Sequence, residues 1–408
     1  MSALPDCAVD LSDDESFRHG FPHEFFVWLR QHDPVHWHEP TDKTPDDEGF
    51  WVVSRHADVM EVQRDAATYS SDRGGIREAG GTGIKDVPQA GRMLNQTDDP
   101  QHHRLRLLVN RGFTPRAIGS LEDEVRRRAA ALLDATEGQP FDAVRGFARE
   151  LPSQVICMVL GVPEADRPTL LDWLDAGIED ESDLIVSPDA TRKISGYARE
   201  LIADKRANPD GGIMSTIVHA RSEDDGTQLT DRELVSFFAL LFPAGAETTR
   251  SAIAGAIKAF IDYPDQYRRL RADRTLVPTA VEEIVRWTTP SVYKRRTASR
   301  DVELGGRRIR AGDKVTFWEM SANRDETVFV DPFAFDVGRE PNPHVGFGWG
   351  VHFCLGASLA RLELRAALDA MLDRYEGFEA TGPSQWTPNN RLFGLKELPV
   401  RALPAEAA

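Results

Sequence analysis

The sequence predicts a mainly α protein with a minor β portion. Helical patterns follow one another through residues 118–133, 146–159, 164–179 and 187–205, and a longer pattern, apolar on nearly all sides, runs from residue 234 to 261. Short alternating segments rich in aromatic and β-branched residues predict strands, as at residues 49–53 and 314–318. Of the 408 residues 41% are hydrophobic and 28% charged, so the chain can bury a sizeable core.

Charge and cysteine content narrow the class of protein. The net charge of −17 argues against a nucleic-acid partner, because phosphate binding requires clustered lysine and arginine. Three cysteines form no disulfide framework and fit a reducing cytoplasm. Residues 1–15 are polar and acidic, with no apolar stretch typical of a signal peptide or membrane anchor. We therefore expect a cytoplasmic protein that does not bind a membrane.

The N-terminal quarter contains short elements followed by a long loop. Residues 25–30 predict a first helix, 34–37 and 49–53 two strands of a small sheet, and 57–64 a second helix. From residue 70 to 95 no periodicity remains, and the glycine-rich loop carries Ile84, Val87, Met93 and Leu94. Loops of this length are typically functional lids or disordered. An ordinary flexible surface loop is the alternative.

A basic pair opens the next helical segment. His102 and Arg106 are four residues apart and therefore share one helical face. Two cationic donors on one face suit a pair of carboxylates. Taken alone, the pair is also typical of a solvated basic surface.

The long helix begins with a capping box, Thr230 to Glu233. At about 30 residues it would be roughly 45 Å long, enough to cross the molecule. Its middle, residues 243–249, reads Pro-Ala-Gly-Ala-Glu-Thr-Thr, and Leu241 lies just before this segment. Proline removes a backbone donor, so this segment predicts a kink or local unwinding.

An acid and a hydroxyl lie within that segment. Glu247 and Thr248 are costly to bury unless they are satisfied or used. One interpretation is a helix distortion satisfied by its own side chains and water. The other is a proton relay, in which a carboxylate feeds protons to a hydroxyl-bound water.

The second half alternates between helix, strands and turns. Glu283 and Arg286 lie three apart on a helix that ends before Pro290. Strand-like segments follow at 292–298, 301–304, 308–309 and 314–318, the first of them containing Val292 and Tyr293. Near the C-terminus, residues 391–394 predict a turn that presents Leu392 and Phe393.

The most informative stretch is residues 347–356, in which glycines surround a single cysteine. Glycines allow close backbone approach, and a helix that begins after Cys354 would favour its thiolate. Such a loop suits a metal ligand whose sulfur accepts backbone hydrogen bonds. A buried structural cysteine or a protease thiol assisted by His352 are the alternatives; a phosphate-binding loop would require Gly-Lys-Ser/Thr.

The ten residues 347–356 resemble the haem-binding signature of the cytochrome P450 family, and Ala360-Arg361 extends the match. The His102/Arg106 pair, the segment from Ala244 to Thr248, and the Glu283/Arg286 pair resemble three further motifs of that family in the same order. The resemblance covers nearly the whole chain and implies one cytochrome P450 domain, residues 1–408. Its long central helix would lie over haem b, iron protoporphyrin IX, and the helix of the cysteine loop beneath it.

The resemblance also implies a role for each motif. Cys354 would ligate the iron, and Thr248 and Glu247 would handle protons. Glu283, Arg286 and Arg339 would have a structural role. The implied haem-binding residues are His102, Arg106, Ala244, Gly245, Arg296, Phe347, Gly348, His352, Cys354 and Gly356, with Arg295 as the alternative to Arg296 for a propionate. The substrate-contact candidates are Ile84, Val87, Met93, Leu94, Leu241, Ala244, Val292, Tyr293, Leu392 and Phe393.

The implied function is that of a soluble bacterial monooxygenase. One atom of O2 would enter a bulky apolar small molecule, such as a steroid, terpenoid, fatty acid or polyketide, and the other would leave as water. Electrons would come from a separate ferredoxin and its reductase, which would dock on the cysteine side near Arg104, Arg111, Arg361 and Arg365. We expect a monomer. Peroxide-driven or non-oxygenating chemistry and a non-enzymatic haem sensor are the alternatives.

Overall fold

The computed structural model describes residues 5–88, 90–136, 139–179, 187–223 and 225–405. Residues 1–4 of the acidic N-terminal segment and Gln89 of the 70–95 loop lie outside this part. The helices are α1 His23–His32, α2 His56–Arg64, α3 Gln101–Asn110, α4 Pro115–Gly119, α5 Glu122–Asp134, α6 Glu150–Val159, α7 Arg167–Glu179, α8 Pro188–Ala207, α9 Ile213–His219, α10 Asp231–Asp262, α11 Pro264–Ala272, α12 Val277–Thr288, α13 Glu319–Ala322 and α14 Ala357–Arg374.

The strands are short and form small sheets. They are β1 Val35–His38, β2 Phe50–Val53, β3 Tyr69–Ser70, β4 Phe141–Asp142, β5 Tyr293–Ala298, β6 Val302–Leu304, β7 Arg307–Ile309, β8 Lys314–Trp318, β9 Tyr375–Ala380, β10 Gln385–Trp386, β11 Leu395–Glu397 and β12 Pro399–Pro404. One sheet has the order β1-β2-β8-β5-β3, with β2 and β8 parallel. The prediction of a mainly α fold with a minor β portion is therefore confirmed.

The long helix α10 organises the helical part. Its capping box is formed: the Thr230 N–H donates to Glu233 Oε2 at 2.8 Å, and the Glu233 N–H donates to Thr230 Oγ1 at 3.3 Å. Its 32 residues pack against α6, α8, α12 and α14. Burial on several sides explains why its sequence is apolar nearly all round.

Several local predictions were wrong or incomplete. The backbone of α10 stays helical through Pro243, so the predicted unwinding is absent, although a bend of the axis remains a prediction. The pattern 118–133 is two helices, because the chain breaks at Ser120, whose hydroxyl donates to the Ala117 carbonyl at 2.7 Å. The pattern 146–159 begins as a π-helical turn, Val144–Ala148, before α6.

A buried ion network fixes the segment that precedes the cysteine loop. Arg286 donates to both oxygens of Glu283, at 2.7 and 2.8 Å, and both side chains are fully buried. Arg339 donates to the same carboxylate at 3.1 Å. Arg286 also donates to the carbonyls of Asn323 and Pro332, each at 2.9 Å. The network ties α12 to the irregular chain at residues 323–339.

Ion pairs hold the middle of the 70–95 loop against the rest of the protein. We call residues 77–87 the anchored segment. Arg77 donates to Glu48 at 2.7 Å and to Asp86 at 2.6 Å, and Asp86 also accepts from Arg295 at 2.5 Å. Burial alone would raise the pKa of Asp86, but Arg295, Arg77 and Lys314 lower it overall. The segment is thus bound to the sheet by charge.

Candidate active site

The cysteine loop needs its glycines. Gly348 and Gly350 have φ angles of 70° and 71°, in the region that favours glycine. A Cβ on Gly350 would lie 2.5 Å from the Gln63 carbonyl oxygen, so the loop passes close to α2. The Cys354 N–H donates to the Phe347 carbonyl at 2.9 Å, which closes the loop. The sequence therefore fixes the place of the thiol through backbone geometry.

The Cys354 thiol lies in a recess. Its side chain is exposed, yet it is largely surrounded by protein, and this desolvation raises its pKa. The Gly356 N–H at the start of α14 donates to the sulfur and opposes this rise, as do the charges of Lys294 and Arg106. A backbone donor and positive charges directed at one sulfur suit a thiolate ligand.

A basic cluster lies beside the loop. The His102 and His352 rings are 4.2 Å apart, and His352 Nε2 lies 2.9 Å from Ser71 Oγ. Desolvation, together with the charges of Arg296, His102 and Arg106, lowers the pKa of His352 to about 2. Both histidines can therefore be neutral hydrogen-bond donors near two fixed guanidinium charges.

Arg106 and Arg296 have no ion-pair partner within the described part of the chain, whereas His102 Nδ1 lies 3.6 Å from Asp99 Oδ1. His102 Nε2 is buried with no hydrogen-bond partner there, and Arg106 forms no ion pair. Arg296 is 4% exposed, and its one hydrogen bond among the described residues is to the Arg295 carbonyl, at 3.0 Å. Burial lowers its pKa to about 10, while Asp98 and Glu319 oppose that shift. Two arginines with free donors fit a ligand that carries two carboxylates.

Strand geometry separates the two candidate arginines. Side chains alternate between the faces of a strand, so Arg295 and Arg296 of β5 point in opposite directions. Arg295 joins the anchored segment through Asp86, whereas Arg296 faces His352 and the cysteine loop. Lys294 lies on the same face as Arg296 and is paired with the buried Glu319. Arg296 therefore lies on the side of the cysteine loop and Arg295 on the side of the anchored segment.

An acid and a hydroxyl occupy the middle of α10, as the sequence predicted. Glu247 is 5% exposed and its carboxylate lies 3.1 Å from Arg250. Burial raises its pKa, with Arg250 opposing the rise, so this carboxyl is protonated more readily than an exposed one. The Thr248 hydroxyl donates to the Ala244 carbonyl, and its oxygen remains able to accept a hydrogen bond.

The structure places the substrate-contact candidates in different environments. Ile84, Val292, Tyr293 and Phe393 are buried in one apolar cluster, where the Ile84 N–H donates to the Tyr293 hydroxyl at 3.4 Å. Leu94 belongs to the main core, and Leu241 packs against it. The half-buried candidates are Val87, Met93, Ala244 and Leu392.

Comparison with known proteins decides the family. The profile described as cytochrome P450 matches residues 182–403. The chain belongs to the cytochrome P450 family. Cytochrome P450 126 of Mycobacterium tuberculosis (strain H37Rv) is 51% identical over 400 residues, covering 96% of this chain and 97% of that protein. The steroid C26-monooxygenase of Rhodococcus jostii is 38% identical over 405 residues, covering 97% and 85%.

Solved structures agree with this P450 assignment. A Mycobacterium marinum cytochrome P450 in complex with pseudoionone matches with a TM-score of 0.88 and 35% identity, covering 98% of this chain and 99% of that one. The protein is therefore a P450 monooxygenase with a haem-thiolate cofactor. Among the residues that the structure describes, no helix is long and apolar enough to span a membrane.

The structure also identifies P450 site residues that the sequence did not. Lys294 acts on Cys354 electrostatically, and Arg250 pairs with Glu247. The i,i+3 spacing of Glu247 and Arg250 was a usable signal for the second pair.

Three of the four arginines expected to attract a redox partner form ion pairs within the chain: Arg104 with Glu233, Arg111 with Glu223 and Arg361 with Glu282.

Proposed function

We propose that this P450 inserts one atom of O2 into a bulky apolar molecule of the steroid or branched-lipid type. The observation that carries the proposal is the recessed Cys354 near Arg106 and Arg296, which have no ion-pair partner in the described part of the chain, together with a buried acid and a hydroxyl on α10. Haem supplies the oxygen-activating chemistry when bound. The chain would supply the thiolate ligand, the propionate contacts and the protons.

We assign haem binding to residues of the basic cluster. Cys354 would provide the thiolate, and the Gly356 N–H would moderate its electron density. Arg106 and Arg296 would neutralise the two propionates, and His102 would donate through its free Nε2. The two guanidinium charges would then balance the two propionate charges, because the positive charge of Lys294 is already paired with Glu319. Arg295 would contribute only to the fold.

The proton path would run through α10. Because burial raises the pKa of Glu247, its carboxyl can hold a proton at a higher pH than an exposed glutamate. Arg250 lies beside the acid, and Arg149, just before α6, and Asp175 of α7 act on the acid electrostatically. Thr248 donates to Ala244, so its oxygen would accept from a water and hold it in place. Glu247 would then supply a proton to that water each time the water has given one up.

The substrate class rests on the apolar lining and on relatives. Candidates such as Val87, Met93 and Leu392 are half-buried and apolar, which suits a hydrophobic ligand. Relatives include a steroid C26-monooxygenase and a methyl-branched lipid omega-hydroxylase, and a structural neighbour was solved with pseudoionone. We further propose a ferredoxin and its reductase as the electron source and a monomeric enzyme.

The proposal is tested by reducing the purified protein under carbon monoxide, beside the Cys354→Ser variant. We expect a strongly red-shifted Soret band in the parent and none in the variant. Steroids and branched lipids are then screened by the shift of the haem spin state. An imidazole-type band in the parent would contradict thiolate ligation. A normal band with no response to any apolar ligand would contradict the substrate class alone.

A further inference from the structure

Arg361 is held on two sides next to the cysteine loop. It donates to both oxygens of Glu282, at 2.6 and 2.7 Å. Its guanidinium carbon lies 4.5 Å from the centroid of the Phe347 ring. A bidentate ion pair fixes the plane of a guanidinium, and ring stacking fixes its other face. The side chain is therefore held against the loop, although a third of it remains exposed to solvent.

Glu282 is itself fixed. His344 Nε2 lies 3.0 Å from its carboxylate, in addition to the two bonds from Arg361. Burial would raise the pKa of Glu282, but Arg361 and His344 lower it to about 2. The carboxylate thus stays ionised and keeps the arginine in position across the working pH range.

The contacts of Arg361 lead to the Cys354 sulfur through one intervening residue, Phe347. Phe347, under the guanidinium, accepts the Cys354 N–H at 2.9 Å. Arg361 lies seven residues after Cys354, at the start of the second turn of α14. The cysteine and the arginine also act on each other electrostatically: the positive charge lowers the pKa of Cys354, and the thiolate raises that of Arg361.

We propose that Arg361 is a positioning residue for the Cys354 thiolate. It holds the loop through Phe347 and places a fixed positive charge near the sulfur. One-electron reduction of the haem by the redox partner adds a negative charge without breaking a bond, so a nearby cation favours the reduced state. The proposal rests on Cys354 being the axial ligand. It also removes Arg361 from the residues available to dock the redox partner.

The test is a spectroelectrochemical titration of the purified holoprotein. Arg361→Gln should shift the haem midpoint potential to more negative values while keeping the thiolate-type carbon monoxide band. Arg361→Lys keeps the charge but not the planar contacts and should give a smaller shift in the same direction. The matched control is Arg365→Gln, which removes an equal charge from an exposed position on the same helix. It should leave the potential unchanged.

A second variant separates this role from general damage. Glu282→Gln leaves Arg361 uncompensated and should move the potential to more positive values, opposite to Arg361→Gln. Equal shifts in the Arg361 and Arg365 variants, no shift in Arg361→Gln, or shifts of the same sign in the Arg361 and Glu282 variants would each overturn the inference. Absence of the thiolate band in the parent would overturn the proposed function instead.

Discussion

The Thr248 hydroxyl donates a hydrogen bond of 2.8 Å to the Ala244 carbonyl one turn earlier in α10. A threonine hydroxyl has a single proton, so this bond leaves its oxygen as an acceptor only. The residue can hold a water by accepting its proton, but it cannot itself be the proton source while the bond persists. Glu247 precedes it in the chain and is buried, and we propose this acid as the proton source.

Replacing Thr248 by alanine should therefore uncouple electron use from product. Because the water that Thr248 holds is part of the proposed proton path, we expect product formed per electron pair to fall on the order of 10²-fold, the lower end of the effect of losing general acid catalysis. Hydrogen peroxide should rise in step, with the carbon monoxide spectrum unchanged. The measurement compares the amounts of product and peroxide formed with the number of electron pairs consumed. Thr248→Ser keeps the hydroxyl and should recover most of the coupling; coupling at the parent level in the alanine variant would refute the assignment.

Changing Arg295 and Arg296 to glutamine, one at a time, should affect different properties: haem retention for Arg296 and the stability of the anchored segment for Arg295. Arg296→Gln removes a guanidinium that we assign to a propionate, so haem should transfer faster to apomyoglobin. Arg295→Gln leaves Asp86 with less compensation and should expose the anchored segment to limited proteolysis, with haem transfer nearly unchanged. Faster haem loss from the Arg295 variant alone would reverse the two roles.

Loss of Arg286 should be costly because its carboxylate partner is fully buried. Arg286→Leu leaves Glu283 with Arg339 as its remaining cationic partner in the described structure, and removing one member of a buried pair costs about 3–5 kcal/mol. The control is Arg268→Leu, since Arg268 and Asp265 form an exposed pair at the same i,i+3 spacing. It should cost less than about 1 kcal/mol. Urea unfolding measures both; equal costs would contradict the role of burial.

Glu363 should make stability depend on pH. It is 2% exposed, its Oε2 has no hydrogen-bond partner in the described part of the chain, and burial raises its pKa well above the usual value. A raised folded-state pKa means that the stability contribution is intact below the usual glutamate pKa and is lost as pH rises toward the folded value.

Glu363→Gln should therefore raise the melting temperature relative to the parent, and the difference should grow from pH 5 to pH 8.5. Glu379→Gln, an exposed carboxylate on β9, is the control and should show no such trend. A constant difference across this pH range would show that Glu363 does not titrate as a buried acid. Thermal melts followed by circular dichroism give the answer.

The sequence predicted those features that local patterns determine. The capping box at Thr230 located the start of α10 to within a residue, and the glycines around Cys354 located the loop. It missed α9 and strands β9 to β12, whose short segments carry little periodicity. The unwinding predicted at Pro243 was wrong because packing on several sides keeps α10 helical.

Contacts between distant segments were beyond reach of the sequence. No local pattern joins Arg77 to Glu48, or Arg361 to Glu282, which lie 29 and 79 residues apart. Residue type could not separate Arg295 from Arg296, because both are arginines, although the alternation of a strand would have assigned them to opposite faces. What the sequence lacked was which face of β5 meets the cysteine loop.

The alternation along β5 has a consequence for inherited changes in chain length. A slip of one residue would exchange the two faces of the strand, sending Arg295 to the cofactor side and Arg296 to the anchored segment. Both sites would still receive an arginine, but Tyr293 and Lys294 would also change sides. Insertions and deletions should therefore accumulate in the turns on either side of this strand and be absent within it, whereas single substitutions there alter one site at a time.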